Sequence, residues 1–144
     1  EIKASFEESS NVKFTLISEK NENKIKVKRS TEIIYGLRNF IGNAVKFAKD
    51  KVQIEIKSDS KKLVILIDDD GPGFAEDIIG VIGEPYIKSK NKYSVSRSGL
   101  GLGTFLGKTL LEKQYANLNF SNNGKLKGAS VKVSWNIEDL KSIS

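Results

Sequence analysis

Acid and glycine stand together directly after an apolar run, a combination that a hydrophobic core alone does not need. Residues 63–67 indicate one β-strand without a polar interruption. Aspartates follow at positions 68–70, and charges that close repel one another unless they are solvated or paired. Gly71 and Gly73 then allow a sharp turn and the close approach of a ligand. The segment therefore predicts either a turn that contacts a ligand or a solvated acidic turn.

A second candidate for ligand binding is the glycine-rich run Gly99, Gly101 and Gly103, which leads into an apolar helical pattern. The free N–H groups and the positive dipole end at the start of a helix attract anions. The run lacks the Lys-Ser/Thr ending of a P-loop, and the strand and distal acid of a dinucleotide fold are not placed around it. Taken alone, these glycines are a weak indication of a phosphate site.

Two asparagines, Asn39 and Asn43, lie four residues apart in a predicted amphipathic helix over residues 31–48. Asparagine is unfavourable inside a helix, and a buried amide costs free energy unless it is hydrogen-bonded. The pair is therefore either structural or faces a polar ligand. In the second case, a side-chain carbonyl offers the hard oxygen that Mg²⁺ prefers.

The remaining patterns predict the elements that must position these groups. Alternating apolar residues indicate strands at 12–18, 24–28, 52–56, 118–120 and 131–135, and residues 122–124 connect the last two. With two long helices, these strands predict an α/β two-layer sandwich that has helices on one face of a mostly antiparallel sheet. We expect one domain over residues 12–144, preceded by a linker or the end of another helix at residues 1–11.

Composition excludes several classes of site. The chain has 144 residues, 38% apolar and 29% charged, with no cysteine and no histidine. Disulfides, thiolate metal sites, the usual zinc sites and histidine-based catalysis within this chain are thereby excluded. The net charge of +6 raises the question of nucleic acid, but the lysines are spread along the chain, so we expect no nucleic-acid partner. No apolar run reaches membrane-spanning length.

The three motifs together resemble those of a known family. Residues 39–46 (NFIGNAVK), 69–73 (DDGPG) and 99–102 (GLGL) are similar, in order and spacing, to the N, G1 and G2 boxes of the ATP-binding catalytic domain of bacterial sensor histidine kinases. The wider group of Bergerat-fold ATPases includes Hsp90-like, gyrase-like and mismatch-repair enzymes and the anti-sigma-factor serine kinases. The resemblance covers residues 12–135, and its finer details resemble the redox-responsive regulator kinases of photosynthetic proteobacteria.

The resemblance implies a role for each matched residue. Asn43 matches the asparagine that coordinates Mg²⁺, and Asn39 matches the polar residue that faces the phosphates. Lys46 matches a lysine near the phosphate chain. Asp69 matches the aspartate that accepts a hydrogen bond from the adenine amine and so discriminates adenine from guanine. The other implied ATP-binding positions are Gly71, Gly73, Gly99, Leu100, Gly101, Leu102 and Thr104, and Gly128 resembles part of a third, weaker glycine box.

One segment departs from the family pattern. The usual aromatic-rich F box is replaced by residues 83–86 (Gly-Glu-Pro-Tyr), in which Tyr86 is the candidate for the aromatic role. The basic segment that follows corresponds to the mobile ATP lid of the family. Lys88 is its candidate contact with phosphate, although a solvated basic loop has the same composition.

Asn39 also bears on the branch of the family. ATPases and serine kinases usually have glutamate here as a general base, whereas asparagine cannot take up a proton at neutral pH. A neutral histidine acceptor needs no such base. The resemblance therefore implies a histidine kinase domain that uses Mg-ATP, whose acceptor histidine lies on a dimerisation domain outside this chain. A serine kinase, or a regulatory module that binds nucleotide without transfer, is the alternative.

The same resemblance implies the partners and the location. The full-length kinase is expected to be a homodimer that acts indirectly on a response regulator, whereas this fragment is expected to be a monomer. The domain is expected to be cytoplasmic, in a sensor kinase with a membrane anchor.

Overall fold

The computed structural model describes residues 12–18, 30–82 and 102–142. The elements in these ranges are β1 Lys13–Ser18, α1 Thr31–Phe47, β2 Lys51–Ser58, β3 Lys62–Asp69, a 3₁₀ helix Ile79–Val81, α2 Leu102–Lys113, β4 Asn117–Ser121, β5 Ser130–Asn136 and α3 Ile137–Lys141. The predicted linker at 1–11, the predicted strand at 24–28 and the basic segment predicted as the lid fall outside the described residues.

Helix α1 begins and ends where its sequence provides the caps. The Ser30 hydroxyl accepts a hydrogen bond from the Ile33 N–H at 3.3 Å, which satisfies one of the free donors of the first turn. The helix ends at Phe47, and Ala48 has extended backbone geometry. The prediction of a helix over residues 31–48 is thus confirmed to within one residue. Its buried face consists of Gly36, Phe40, Ile41 and Ala44.

The described strands form a sheet in the order β1-β2-β3-β5-β4. β1 pairs with β2 in parallel, and the other neighbouring strands are antiparallel. Because side chains alternate along a strand, the register aligns Ile54, Ile67 and Val131 on the face that packs against α1. The predicted two-layer fold with a mostly antiparallel sheet is confirmed.

The two long helices cross at very short range, which brings the asparagines of α1 next to the start of α2. A Cβ atom added to Gly107 would lie 3.0 Å from the Cβ of Asn39 and 3.2 Å from the carbonyl oxygen of Gly36. The backbones therefore approach closely at this crossing, which favours glycine on α2. The contact fixes the side of α1 that carries Asn39 and Asn43 against α2.

Three phenylalanines connect the helical layer to the sheet below the candidate site. The Phe120 ring of β4 lies 5.7 Å from the Phe40 ring of α1, measured between centroids, and 5.9 Å from the Phe74 ring. The second pair meets edge to face at 89°, the arrangement that the aromatic quadrupole favours. This aromatic group therefore joins α1, β4 and the segment after β3 into one core.

Candidate nucleotide site

The acids after the apolar run lie deeper than a solvated turn would place them. Asp68 and Asp69 are the last two residues of β3, with exposed fractions of only 3% and 1%. The alternative of a solvated acidic turn is therefore wrong for both, and only Asp70 lies beyond the strand. The strand continues because Val52 of β2 pairs with Asp69, and Ser130 of β5 pairs with Asp68.

Asp69 is held by the glycine turn that follows it. Its Oδ1 atom accepts a hydrogen bond from the Gly71 N–H at 3.0 Å. A Cβ atom on Gly71 would collide with the carbonyl oxygen of Phe47, so the turn passes directly against the end of α1. On the other side, a Cβ atom on Gly128 would lie 2.9 Å from Asp69 Oδ1. Glycines at 71 and 128 therefore let the backbone enclose this carboxylate.

Asn43 and Thr104 connect the two helices across the same site. The Asn43 Nδ2 group donates a hydrogen bond to the Thr104 hydroxyl oxygen at 3.0 Å, and Thr104 is buried. Because this bond occupies the amide nitrogen, the amide oxygen is the end of Asn43 that remains for a cation. The structural interpretation and the ligand interpretation of Asn43 are therefore compatible, since one end of the side chain serves each.

Asn39 has a more local bond. Its Nδ2 group donates to the carbonyl oxygen of Tyr35 at 2.8 Å, one turn earlier in α1. Its amide oxygen faces the start of α2, where a Cβ atom added to Gly103 would lie 3.1 Å from it. Asn39 thus lies at the helix crossing and at the edge of the site.

A small cavity lies between Asp69 and the two helices. Its lining combines the polar Asn43, Asp69 and Thr104 with the apolar Phe40, Ala44, Ile67, Phe74, Ile82, Phe120 and Val131. Its volume is about 10 Å³, which is room for about one water molecule. A larger ligand enters here only when the lining side chains separate.

An open groove of about 410 Å³ runs along the exposed side of α1. It is lined by Tyr35, Arg38, Asn39, Gly42, Asn43 and Lys46. The Lys46 ammonium lies 5.4 Å from the centroid of the Phe47 ring, within the range of a cation–π contact. Asn43 lines both the groove and the small cavity, so the two spaces are adjacent. The groove offers cationic and amide groups, as a polyphosphate requires.

The structure brings together most of the predicted site residues that it describes. Asn43, Asp69 and Thr104 line the cavity, Gly71 donates to the Asp69 carboxylate, and Asn39 and Lys46 line the groove. Leu102 begins α2. Tyr86, Lys88, Gly99, Leu100 and Gly101 lie outside the described residues.

Sequence reasoning missed Asn122, which hydrogen-bonds to both backbone groups of Phe74 beside the cavity. Only its position in a turn-rich connection, shortly before the Gly128 match, could have drawn attention to it.

A protein-family model described as histidine kinase-, DNA gyrase B- and HSP90-like ATPase matches residues 28–138. The chain belongs to this family. Among its relatives, the Sensor histidine kinase RegB of Cereibacter sphaeroides is 39% identical over 127 residues, which are 78% of this chain and 28% of RegB. The Sensor protein KdpD of Clostridium acetobutylicum is 36% identical over 88 residues, which are 60% of this chain and 10% of KdpD.

Solved histidine kinase structures share the fold of this family member. The catalytic domain of histidine kinase ThkA gives a TM-score of 0.74 at 20% identity and covers 94% of this chain and 88% of that domain. The mycobacterial sensor histidine kinase MprB gives a TM-score of 0.71 at 18% identity, and the match covers 94% of this chain and 93% of the MprB chain. At these identities, the likeness establishes the fold alone.

The comparisons confirm the predicted family, its Bergerat-type fold and the sensor histidine kinase type of this domain, and they do not favour the serine-kinase alternative. The chain spans only 28% of the length of RegB. Among the described helices, none is long and apolar enough to cross a bilayer.

Proposed function

We propose that this chain holds Mg-ATP and presents its γ-phosphoryl group to a histidine on the separate dimerisation domain of a sensor histidine kinase. The observation that supports this most strongly is the buried carboxylate of Asp69 at the edge of a mostly apolar cavity. Its Oδ1 atom accepts from the Gly71 N–H, and a carboxylate has acceptor positions for more than one donor. The exocyclic amine of adenine is such a donor, and the surrounding rings and aliphatic side chains suit the purine faces.

The phosphates would extend from the cavity into the groove along α1. Lys46 supplies a compact positive charge there, and Asn39 supplies polar contact at the helix crossing. The beginning of α2 supports the same direction, because backbone N–H groups at a helix N-terminus attract phosphate. We propose Gly99, Leu100, Gly101, Leu102 and Thr104 as contacts at this end, and Gly71 and Gly73 at the base. We also propose Tyr86 as the aromatic contact from the segment before the lid, and Lys88 as a contact from the lid.

Asn43 is the proposed magnesium ligand. Its amide oxygen remains for the ion, since its nitrogen bonds Thr104. Within the described ranges, no group of three or more acidic, histidine or cysteine side chains could hold a metal. Proteins commonly hold Mg²⁺ through few side chains, with phosphate oxygens and water completing the shell. When bound, the ion would neutralise charge on the transferring phosphoryl group.

The acceptor would be a histidine outside this chain, because the chain contains none. Asn39 cannot act as a general base, which disfavours water and serine as nucleophiles. The domain would therefore act mainly by positioning and charge neutralisation. We propose that the intact kinase is a homodimer that phosphorylates its own dimerisation domain and, through it, a response regulator. We further propose that the domain is cytoplasmic, in a membrane-anchored sensor.

Phosphoryl transfer in trans tests this proposal. The chain is incubated with ATP labelled on the γ-phosphate, with and without a polypeptide that carries the acceptor-histidine helices. Alone, it should bind ATP, hydrolyse it slowly and remain unlabelled. With the acceptor, the label should appear slowly on the acceptor, because the covalent link that gives a high effective concentration is absent.

The chemistry of the product separates the alternatives. A label that is lost in acid and stable in base indicates phosphohistidine and supports the proposal. An acid-stable phosphoserine on another partner would contradict it in favour of a serine kinase. ATP binding without transfer to any acceptor would indicate a regulatory nucleotide-binding module.

A further inference from the structure

Asn122, in the connection between β4 and β5, forms two hydrogen bonds with the backbone of one residue across the site. Its Oδ1 atom accepts from the Phe74 N–H at 2.7 Å, and its Nδ2 group donates to the Phe74 carbonyl oxygen at 2.9 Å. A side-chain amide thus replaces the paired contacts that a neighbouring strand would provide. Both distances are in the short, well-formed range for amide hydrogen bonds.

Phe74 is the residue that connects the glycine turn to the cavity. It is 4% exposed, its ring lines the cavity with Asp69, and its edge packs against Phe120. The position of its backbone therefore determines where the turn after Asp69 lies relative to the cavity. Asn122 fixes that position from the opposite strand connection.

Gly73 shows how closely the turn and Asn122 fit together. A Cβ atom added to Gly73 would lie 2.6 Å from Asn122 Cγ and would collide with Asn122 Oδ1. Real Cβ atoms do not approach other atoms this closely, so any side chain at position 73 would displace the amide. The requirement for glycine here comes from Asn122.

We propose that Asn122 is a positioning residue for the base end of the nucleotide site. It acts through Gly73 and Phe74 and holds the turn in the conformation in which Asp69 and the aromatic rings receive a purine. The inference rests on the proposed function, since it assumes that adenine binds beside Asp69. Asn122 itself is exposed, so truncating it opens no cavity in the core and should alter ligand binding more than folding.

Titration calorimetry of Asn122→Ala tests the proposal, with Asn123→Ala as the matched control, because Asn123 is the adjacent exposed asparagine. Adenosine, Mg-ATP and inorganic tripolyphosphate are the three ligands. Loss of the two hydrogen bonds should lower the affinity for adenosine and for Mg-ATP equally, by about tenfold. The affinity for tripolyphosphate should stay unchanged. Asn123→Ala should bind all three as the parent chain does.

A purely structural role would produce a different pattern. In that case the free energy of unfolding without nucleotide would fall, while the folded variant would bind adenosine normally. The fluorescence of the buried Trp135 reports the unfolding. That result would overturn the inference and leave the proposed function intact. Absence of ATP and adenosine binding by the parent would contradict the proposed function and, with it, this inference. If Asn122→Ala does not fold, Asn122→Asp, which keeps the acceptor for the Phe74 N–H, should show the same selective loss of adenosine.

A double-mutant cycle with Gly73→Ala provides an independent check. In the parent, the new methyl group meets Asn122 and should weaken adenosine binding. In the Asn122→Ala background the methyl group has room, so the additional loss should be smaller than in the parent. Strictly additive losses would show that the two residues do not act on the turn together, which would overturn the proposal.

Discussion

Asp68 and Asp69 are adjacent in β3 and almost equally buried, yet they face opposite sides of the sheet. Asp69 faces the helices, where it borders the cavity with Asn43 and Thr104. Asp68 faces the other side, near Glu55 and Ser130. Strand alternation thus separates the two charges that the sequence places side by side. The same residue type at nearly the same depth therefore meets two different chemical environments.

The environment of Asp68 opposes its negative charge. Burial raises the pKa of Asp68 above its usual value and the nearby Glu55 carboxylate raises it further, which together outweigh the lowering by a hydrogen bond with Ser130 and by the Lys125 charge. Within the part of the chain that the structure describes, Asp68 Oδ1 is buried without a hydrogen-bond partner. Glu55 is better compensated: the Lys125 ammonium at 3.0 Å holds the pKa of Glu55 below its usual value, assisted by Lys57 at 3.1 Å. A buried acid therefore indicates a ligand site only together with the groups around it.

Asp70, the third acid, has a structural role at the turn. Although burial alone would raise its pKa, hydrogen bonds from the backbone N–H groups of Lys51, Asp50 and Lys49 hold the pKa of Asp70 below its usual value. Its Oδ1 atom accepts from all three donors at 2.9 to 3.1 Å. These bonds fix the connection between α1 and β2 beside the glycine turn. The three acids thus differ in face and in partners.

The largest expected difference between the two faces of β3 is in ATP binding. Asp69→Asn should lose a charge-assisted hydrogen bond of about 1.5–3 kcal/mol, and so lower the affinity for ATP by about ten- to a hundredfold. The variant should fold, because an amide oxygen can still accept from the Gly71 N–H. Calorimetry compares it with Asp68→Asn, which should bind ATP as the parent does. Equal ATP affinity in Asp69→Asn and the parent would remove Asp69 from the site.

Asn43 tests whether the helix-facing side of the sheet has separate base-binding and phosphate-binding ends. Asn43→Ala should lose the proposed magnesium ligand and lower the affinity for Mg-ATP by about tenfold, whereas the affinity for adenosine should change little. Titrations with both ligands in the presence of Mg²⁺ provide the measurement. If adenosine and Mg-ATP lose affinity equally, Asn43 is structural through its bond to Thr104.

Asp70 should affect stability in a pH-dependent manner. Because its folded pKa is lowered, its stabilising contribution is present above the unfolded value of 3.8 and is lost as the pH falls through the folded pKa. Asp70→Ala should therefore reduce the free energy of unfolding by about 1 kcal/mol at neutral pH, with little effect well below 3.8. Urea unfolding at the two pH values measures this. A loss of equal size in acid would contradict the electrostatic role.

Replacing Asp68 should have the smallest effect on stability, and the pH dependence of that effect should be opposite to that of Asp70. Because its folded pKa is raised, its contribution favours folding below the unfolded value of 3.8 and is lost as the pH rises through the folded pKa. Asp68→Asn, which is neutral at every pH, should match the parent in acid. At neutral pH, we expect it to be more stable by less than about 1 kcal/mol. A variant that is less stable than the parent at neutral pH would indicate that the Asp68 charge has a favourable partner.

Local patterns predicted much of the fold. The apolar spacing predicted α1, a continuous apolar run predicted β3, and alternation predicted the other described strands, because these signals lie within short stretches of sequence. The asparagine motif and the first glycine motif contain Asn43 and Asp69, which line the cavity. Each of these features requires only a residue and its near neighbours.

Features that depend on distant pairing were not predictable in the same way. β3 includes Asp68 and Asp69 because β2 and β5 continue to pair with them, which local acid content does not indicate. Asn122 acquires its role only because the chain returns 48 residues after Phe74 to the same end of the sheet. Sequence motifs therefore named Asn43 and Asp69, which line the cavity, as site candidates, whereas the contact of Asn122 with Phe74 became visible only in the fold.

Titration of the parent chain with Mg-ATP and with Mg-GTP measures whether Asp69 selects adenine. We expect one saturable site per chain for ATP and much weaker binding of GTP, because the proposed partner of the Asp69 carboxylate is the adenine amine, whereas guanine presents a carbonyl oxygen at that position. The Asp68→Asn variant should retain this preference, and Asp69→Asn should lose it. Absence of saturable ATP binding, or equal affinity of the parent for both nucleotides, would contradict the account.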